Sequence, residues 1–225
     1  MVPNLCVASR EGPTVPAIYR YLYGRQMTQQ LNAWQGEFGT AYTDRNVVDW
    51  RVRLPAFRQM LNGLSLQRVL EVGCNRGHNL MLLAELLGED CDVVGVEPNQ
   101  HALELARQAT SKAGVLHGNA FDLPFKDGYA DLVFTAGVLI HIGPAELPVA
   151  LAEMVRVSRR YLLSIEYFAE EETAITYRGQ EGLLWKRDFP GCFQTQFPDM
   201  RLVRQGYWDA ESGFDRTHWW LLEKP

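Results

Sequence analysis

Between residues 68 and 167, short apolar runs alternate with stretches of helical periodicity, and this alternation narrows the fold more than any other feature. Arg68-Val-Leu-Glu-Val72 reads as a strand ending in Gly73. His78 to Leu87 reads as a helix, with Leu80, Leu83, Leu86 and Leu87 at helical spacing and Gly88 as its stop. Cys91 to Val96 is a second strand, and Pro98 opens a helix to about Ser111. Val115-Leu116, Asp131 to Thr135 and Tyr161 to Tyr167 supply three more strands, with a helix over Pro144 to Ser158. Continuous apolar strands joined by helices predict a parallel sheet covered on both faces, built from right-handed crossovers. The tail differs: Arg201 to Trp208 and Arg216 to Leu222 flank a polar link, Asp209 to Asp215, with no room for a helix. Those two runs should pair antiparallel. The expected fold is α/β: a doubly wound, seven-stranded, mainly parallel sheet with an antiparallel C-terminal hairpin.

The chain upstream is of another kind. Residues 1–16 hold Pro3, Pro13 and Pro16 with little periodicity and read as a loosely held arm. Residues 17–62 are helical in character and rich in aromatics. The chain therefore divides into an N-terminal arm and helical lid, 1–62, and a core, 63–225. Trp34, Phe38 and Tyr42 recur every four residues, which predicts one shared helical face.

Composition excludes several classes. No apolar run approaches the ~20 residues that span a bilayer, and Met1 to Gly12 lacks the basic and apolar regions of a secretory signal. The formal charge of −5 argues against a nucleic-acid partner. Cys6, Cys74, Cys91 and Cys192 are scattered with no CxxC pair, which suits reduced thiols in the cytoplasm. The histidines show no metal-ligand spacing, so no metal is expected.

The turn after the first strand, Glu71-Val-Gly-Cys-Asn-Arg-Gly77, lies where doubly wound sheets bind ligands. Glycine there lets backbone approach a ligand closely, and Glu71 can face an ammonium group. The spacing is not the GxGxxG of nicotinamide proteins. It resembles motif I of class I S-adenosylmethionine-dependent methyltransferases, [D/E]xGxGxG, with Asn75 at the middle glycine. Asparagine tolerates the left-handed backbone, so the departure is mild. Glu97 ends the second strand, where a carboxylate accepts ribose hydroxyls. Gly118-Asn-Ala-Phe-Asp-Leu-Pro-Phe125 resembles the family's GDaxxLPF stretch, Tyr129 to Phe134 its fourth strand, and Val138 to Ile142 its "vLxHi" segment. The resemblance implies S-adenosyl-L-methionine as cofactor. It places Glu71, Gly73, Asn75, Gly77, Glu97, Pro98, Asn119, Ala120 and Thr135 around that cofactor, with Arg45 reaching its carboxylate.

Three flanking blocks resemble a narrower group, the methyltransferases associated with pseudaminic acid biosynthesis. They are Trp34-Gln-Gly-Glu-Phe-Gly-Thr-Ala-Tyr-Thr-Asp-Arg-Asn46, Thr135 to Pro148, and Ile165-Glu-Tyr-Phe168 with Tyr177-Arg-Gly179 and Leu184 to Phe189. This implies methyl transfer to nitrogen or oxygen of a small, anionic molecule, such as an amino- or acyl-sugar or its nucleotide derivative. His141, Glu166 and Tyr167 are the catalytic candidates, with His141 as general base because its ordinary pKa is near neutral. Trp34, Phe38, Tyr42, Tyr177, Arg178 and Lys186 are the substrate-binding candidates, Arg178 and Lys186 for an anionic handle. Other readings are a tailoring methyltransferase of another natural product, a nicotinamide-dependent oxidoreductase, and a non-catalytic S-adenosylmethionine-binding protein. The missing third glycine and the terminal hairpin disfavour the oxidoreductase. The polar groups around His141 and Arg178 favour catalysis.

Overall fold

The computed structural model describes residues 29–225; the arm expected over residues 1–16 lies outside them. Seven strands form one sheet in the spatial order β3-β2-β1-β4-β5-β9-β8. Its parallel part is β1 (Arg68–Val72), β2 (Asp92–Glu97), β3 (Ala113–His117), β4 (Ala130–Ala136) and β5 (Ser158–Glu166). The last two strands, β8 (Arg201–Trp208) and β9 (Thr217–Glu223), pair antiparallel with each other, and β9 pairs antiparallel with β5. The expected doubly wound sheet with a C-terminal hairpin is the observed one.

Burial is nearly continuous along the central strands because both faces are covered, and successive residues go to opposite sides. Leu70, Val133, Leu162, Trp220 and Leu222 pack to one side, with α6 (Leu147–Val157) and α7 (Phe189–Gln196). Val69, Leu132, Leu163, Trp219 and Leu221 pack to the other, with α3 (Leu54–Met60) and α4 (His78–Leu87). Trp219 and Trp220 point to opposite sides of the sheet, and both are buried in the core.

Two boundaries differ from the sequence reading. The helix expected from Pro98 is α5 (Gln100–Ala109), with Asn99 as its cap: the Asn99 side chain accepts from the Ala102 N–H at 3.0 Å. Proline at 98 sits just outside, and the capping bond sets the start. The single aromatic helix around residue 38 is two helices, α1 (Gln29–Gln35) and α2 (Glu37–Arg45), broken at Gly36.

Two side chains of the core, Asn99 and Asn75, tether that pair. Asn99 Nδ2 donates to the Trp34 carbonyl at 2.9 Å and lies within 3.3 Å of those of Gln35 and Gly36. Asn75 Nδ2 donates to the buried Thr43 hydroxyl at 3.0 Å. Gly39 lets the two helices meet, since a Cβ there would stand 1.8 Å from the Trp34 carbonyl oxygen. Short helices of this kind are marginal alone, so such tethers fix their position. Between β5 and α7 the chain makes an excursion with a two-stranded ribbon, β6 (Thr173–Ala174) and β7 (Trp185–Lys186). No helix among the described residues is long and apolar enough to cross a membrane.

Candidate active site

A cavity of about 370 Å³ opens at the carboxyl edge of the sheet, within the range of small-molecule sites. One wall is the turn after β1. Gly73 and Gly77 take positive φ (78° and 80°), and so does Asn75, at 47°. A Cβ on Gly73 would meet Val138 Cγ2 at 2.6 Å, so the turn after β1 packs directly on the turn after β4. The Asn75 side chain is occupied by Thr43 and by the Arg76 N–H, which ties α2 to the loop.

Two carboxylates stand over this turn. Glu71 is buried; Oε1 accepts from Asn79 Nδ2 at 2.7 Å, while Oε2 has no partner among the described residues. Burial raises its pKa to about 8, against the opposing effects of the Asn79 amide and Arg53. Glu97 accepts the Asn75 N–H and the Asn99 N–H, both at 2.8 Å. Burial raises its pKa to about 7, and those two amides hold it from going higher.

Glu71, Gly73, Asn75, Glu97, Pro98, Asn119 and Ala120 all line the cavity, whereas Gly77 lies just behind the wall. Asn119 accepts the Phe121 N–H on its carbonyl oxygen at 2.8 Å, which leaves its amide nitrogen and the second lone pair of that oxygen for a ligand. Thr135 is fully buried within β4 and forms no part of the wall. Arg45 is exposed on α2 and also stands outside it, because Tyr42, three residues earlier, takes the inward face. The guanidinium that does reach the cavity on this side is Arg53, which donates to Asn79 Oδ1 at 3.1 Å and to the Gly213 carbonyl at 2.8 Å. His78 stands next to it, its pKa lowered to about 4 by burial and by the fields of Arg53 and Arg76.

The turn after β4 carries His141. Its Nδ1 lies 2.6 Å from the Leu183 carbonyl oxygen; a carbonyl only accepts, so Nδ1 holds the proton and Nε2 the lone pair. The ring packs against Trp34 (centroids 4.4 Å apart) and Tyr177 (5.3 Å). Burial pulls the His141 pKa down to about 4, partly offset by the Leu183 bond. Glu166, expected to be catalytic, does not reach the cavity. It is fully buried, and its carboxylate accepts the N–H groups of Val138 and Leu139 (both 3.1 Å) and Ile140 (3.3 Å). Three donors saturate it, so it positions the His141 turn.

Tyr167 lines the cavity and donates its hydroxyl to Asp215 Oδ2 at 2.6 Å; burial first, then Asp215, raises its pKa. Trp34 and Tyr42 line the wall, while Phe38 packs behind them on Trp34 and Tyr177. Tyr177 and Arg178 line it from a two-residue turn closed by reciprocal Tyr177–Gln180 hydrogen bonds of 2.9 and 3.0 Å. Arg178 takes φ 52° there, a costly conformation for a side-chain-bearing residue. Lys186 does not reach the cavity; its ammonium sits 5.6 Å from the centre of the Tyr167 ring. Arg187 is buried and paired to Glu172 at 2.6 Å.

Sequence reading missed Arg53, Asn79, Phe214, Asp215 and Thr217. Asn79 alone left a signal, a polar residue inside the apolar stripe of α4. The others come from segments distant in sequence, brought in by the hairpin and the lid.

Comparison with known proteins adds the family context. Residues 70–161 match the model of a methyltransferase domain. The O-methyltransferase rstn1 of Aspergillus nomiae is 32% identical over 107 residues, which are 45% of this chain and 46% of that protein. The chain spans about half the length of the curated relatives it matches. An S-adenosylmethionine-dependent methyltransferase structure from Aquifex aeolicus superposes with a TM-score of 0.62 at 19% identity, covering 82% of this chain and 98% of that one. The 1,6-didemethyltoxoflavin-N1-methyltransferase of Burkholderia thailandensis, solved with S-adenosylhomocysteine, gives 0.61 at 14% identity over 98% of both chains. Residues 70–161 are thus similar to a methyltransferase domain, and the chain shares its Rossmann-like fold with solved S-adenosylmethionine-dependent methyltransferases.

Proposed function

We propose that this chain transfers the methyl group of S-adenosylmethionine to nitrogen or oxygen of a small molecule bearing an anionic group, such as an amino- or acyl-sugar or its nucleotide derivative. The observation that carries the reading is the Glu71 carboxyl group, buried with one oxygen unpartnered among the described residues at the cavity wall. Burial keeps it largely protonated in the free protein, and its ionised form is costly unless a cation meets it; the ligand's ammonium is that cation. Glu97, with two backbone donors already bound, keeps lone pairs for ribose hydroxyls. Arg53 and His78 take the place expected for Arg45 at the ligand's carboxylate. Asn119 Nδ2 and the Ala120 backbone face the adenine.

When bound, S-adenosylmethionine supplies an electron-poor methyl on a sulfonium. The protein's part is to hold the acceptor in line with it and keep water away. Trp34, Tyr42 and Tyr177 wall the site toward solvent. His141 stays neutral across the physiological range, so Nε2 accepts a hydrogen bond from the acceptor and orients it; a pKa near 4 makes it a weak proton sink. The general-base role expected for His141 is thereby reduced to orientation. Arg178, with no ion-pair partner among the described residues, binds the anionic handle. The pseudaminic acid-type resemblance supports the sugar class, and the division into a lid up to residue 62 and a core beyond it belongs to the same reading.

Calorimetric titration with S-adenosylhomocysteine tests this. Native protein should bind it, and Glu71→Gln should weaken binding by roughly 30-fold or more, since breaking a buried charge pair costs about 2–5 kcal/mol. Absence of binding by the native protein would refute the proposal.

A further inference from the structure

Resting on that reading, the other side of the cavity specifies the acceptor more closely. Three strands along the sheet from Glu71, the ends of β5 and β9 and the link before β9 supply Tyr167, Asp215 and Thr217 to the wall. Asp215 Oδ2 accepts the Tyr167 hydroxyl, while Oδ1 has no partner among the described residues. The Thr217 hydroxyl, on a residue only 7% exposed, also has none. Arg53, on the same wall, bonds Gly213 and Asn79 and makes no ion pair with Asp215 among the described residues. A carboxylate with a free oxygen therefore faces the cavity, held in place by a phenol.

We infer that Asp215 receives a protonated amine of the acceptor, so that the substrate class is a small molecule with a primary amine at Asp215 and an anionic group at Arg178. Tyr42, Tyr167 and Tyr177 line the same cavity, and phenol faces attract cations. The bases named from the sequence do not serve here: His141 is neutral and weakly basic, and Glu166 is saturated by backbone donors. The free Asp215 oxygen is the acceptor at hand for the proton of a bound ammonium, which leaves a neutral amine with its lone pair available.

The test loads the protein with S-adenosylhomocysteine and titrates three probes: glucosamine 6-phosphate, glucose 6-phosphate and glucosamine. Glucosamine 6-phosphate should bind at least tenfold more tightly than either of the others. Asp215→Asn should abolish its advantage over glucose 6-phosphate and leave the advantage over glucosamine. Arg178→Gln should do the reverse. Equal binding of glucosamine 6-phosphate and glucose 6-phosphate, or binding of none of the three to loaded protein, overturns the inference while leaving the cofactor reading intact. Failure of S-adenosylhomocysteine itself to bind removes the cofactor reading. Unchanged S-adenosylhomocysteine affinity in both variants confirms that they fold.

Discussion

Cofactor binding should expel a proton from Glu71, and the amount follows from its environment. With a pKa near 8, Glu71 in the free protein is about nine-tenths protonated at pH 7. An ammonium placed against the unpartnered Oε2 favours the carboxylate, drawing the pKa well below 7. Binding at pH 7 then releases about 0.9 proton from this site, and affinity rises up to about tenfold per pH unit between pH 6 and 8. Glu97, with a pKa near 7, adds up to about half a proton when hydroxyls donate to it. The assay is calorimetry with S-adenosylhomocysteine in buffers of different ionisation enthalpy, where the slope of observed against buffer enthalpy counts protons. Glu71→Gln should remove about 0.9 proton from the count at pH 7 and flatten most of the pH dependence. Proton uptake, or the same release in Glu71→Gln, would refute the placement of the ammonium at Glu71. The sign for stability is consistent. Glu71, Glu97 and Glu166 all have raised folded-state pKa values, of about 8, 7 and 7. Their contribution is fully present below the unfolded carboxylate pKa and is lost as pH rises toward 8, so the ligand-free protein should melt lower at pH 8 than at pH 5.

Three substitutions probe the supports around the site. Gly39→Ala should leave the sheet intact but displace α1 from α2, weakening S-adenosylhomocysteine binding roughly 5- to 150-fold for a strain of about 1–3 kcal/mol; calorimetry and tryptophan fluorescence report it, and native affinity would contradict the 1.8 Å clash. Glu166→Gln replaces an acceptor of three N–H groups with a side chain that also donates, so the melting temperature should fall by about 3–10 °C for roughly 1–3 kcal/mol. Arg45→Ala should leave S-adenosylhomocysteine affinity unchanged, while Arg53→Gln should weaken it at least tenfold; the opposite pattern would restore the sequence-based assignment.

The legible parts of this protein were those written in one contiguous segment. Strand β1, the turn to Gly77 and helix α4 announce themselves by an apolar run, glycines and a leucine stripe, and they fold by local rules. Asn75 was legible for the same reason: its backbone conformation is a property of the residue itself. What the pattern hid was the choice between neighbours on one helix. Tyr42 and Arg45 differ by three residues, and only the tethers at Asn75 and Asn99 decide which faces inward. Acid–base character was hidden for a related reason. His141, Glu166 and Tyr167 look like a set of proton carriers in sequence, yet each is altered by what packs on it: a carbonyl and burial for His141, three amides for Glu166, a carboxylate for Tyr167. The same rearrangement gives the site its electrostatic division. Carboxylates at the ends of β1 and β2 and the Asp215 carboxylate beyond β5 each keep capacity for a cation or donor, with Arg53 and Arg178 available for anions. A net charge of −5 says nothing of this arrangement, because its cationic and anionic members come from segments distant in sequence and converge only in the folded chain, around one cavity.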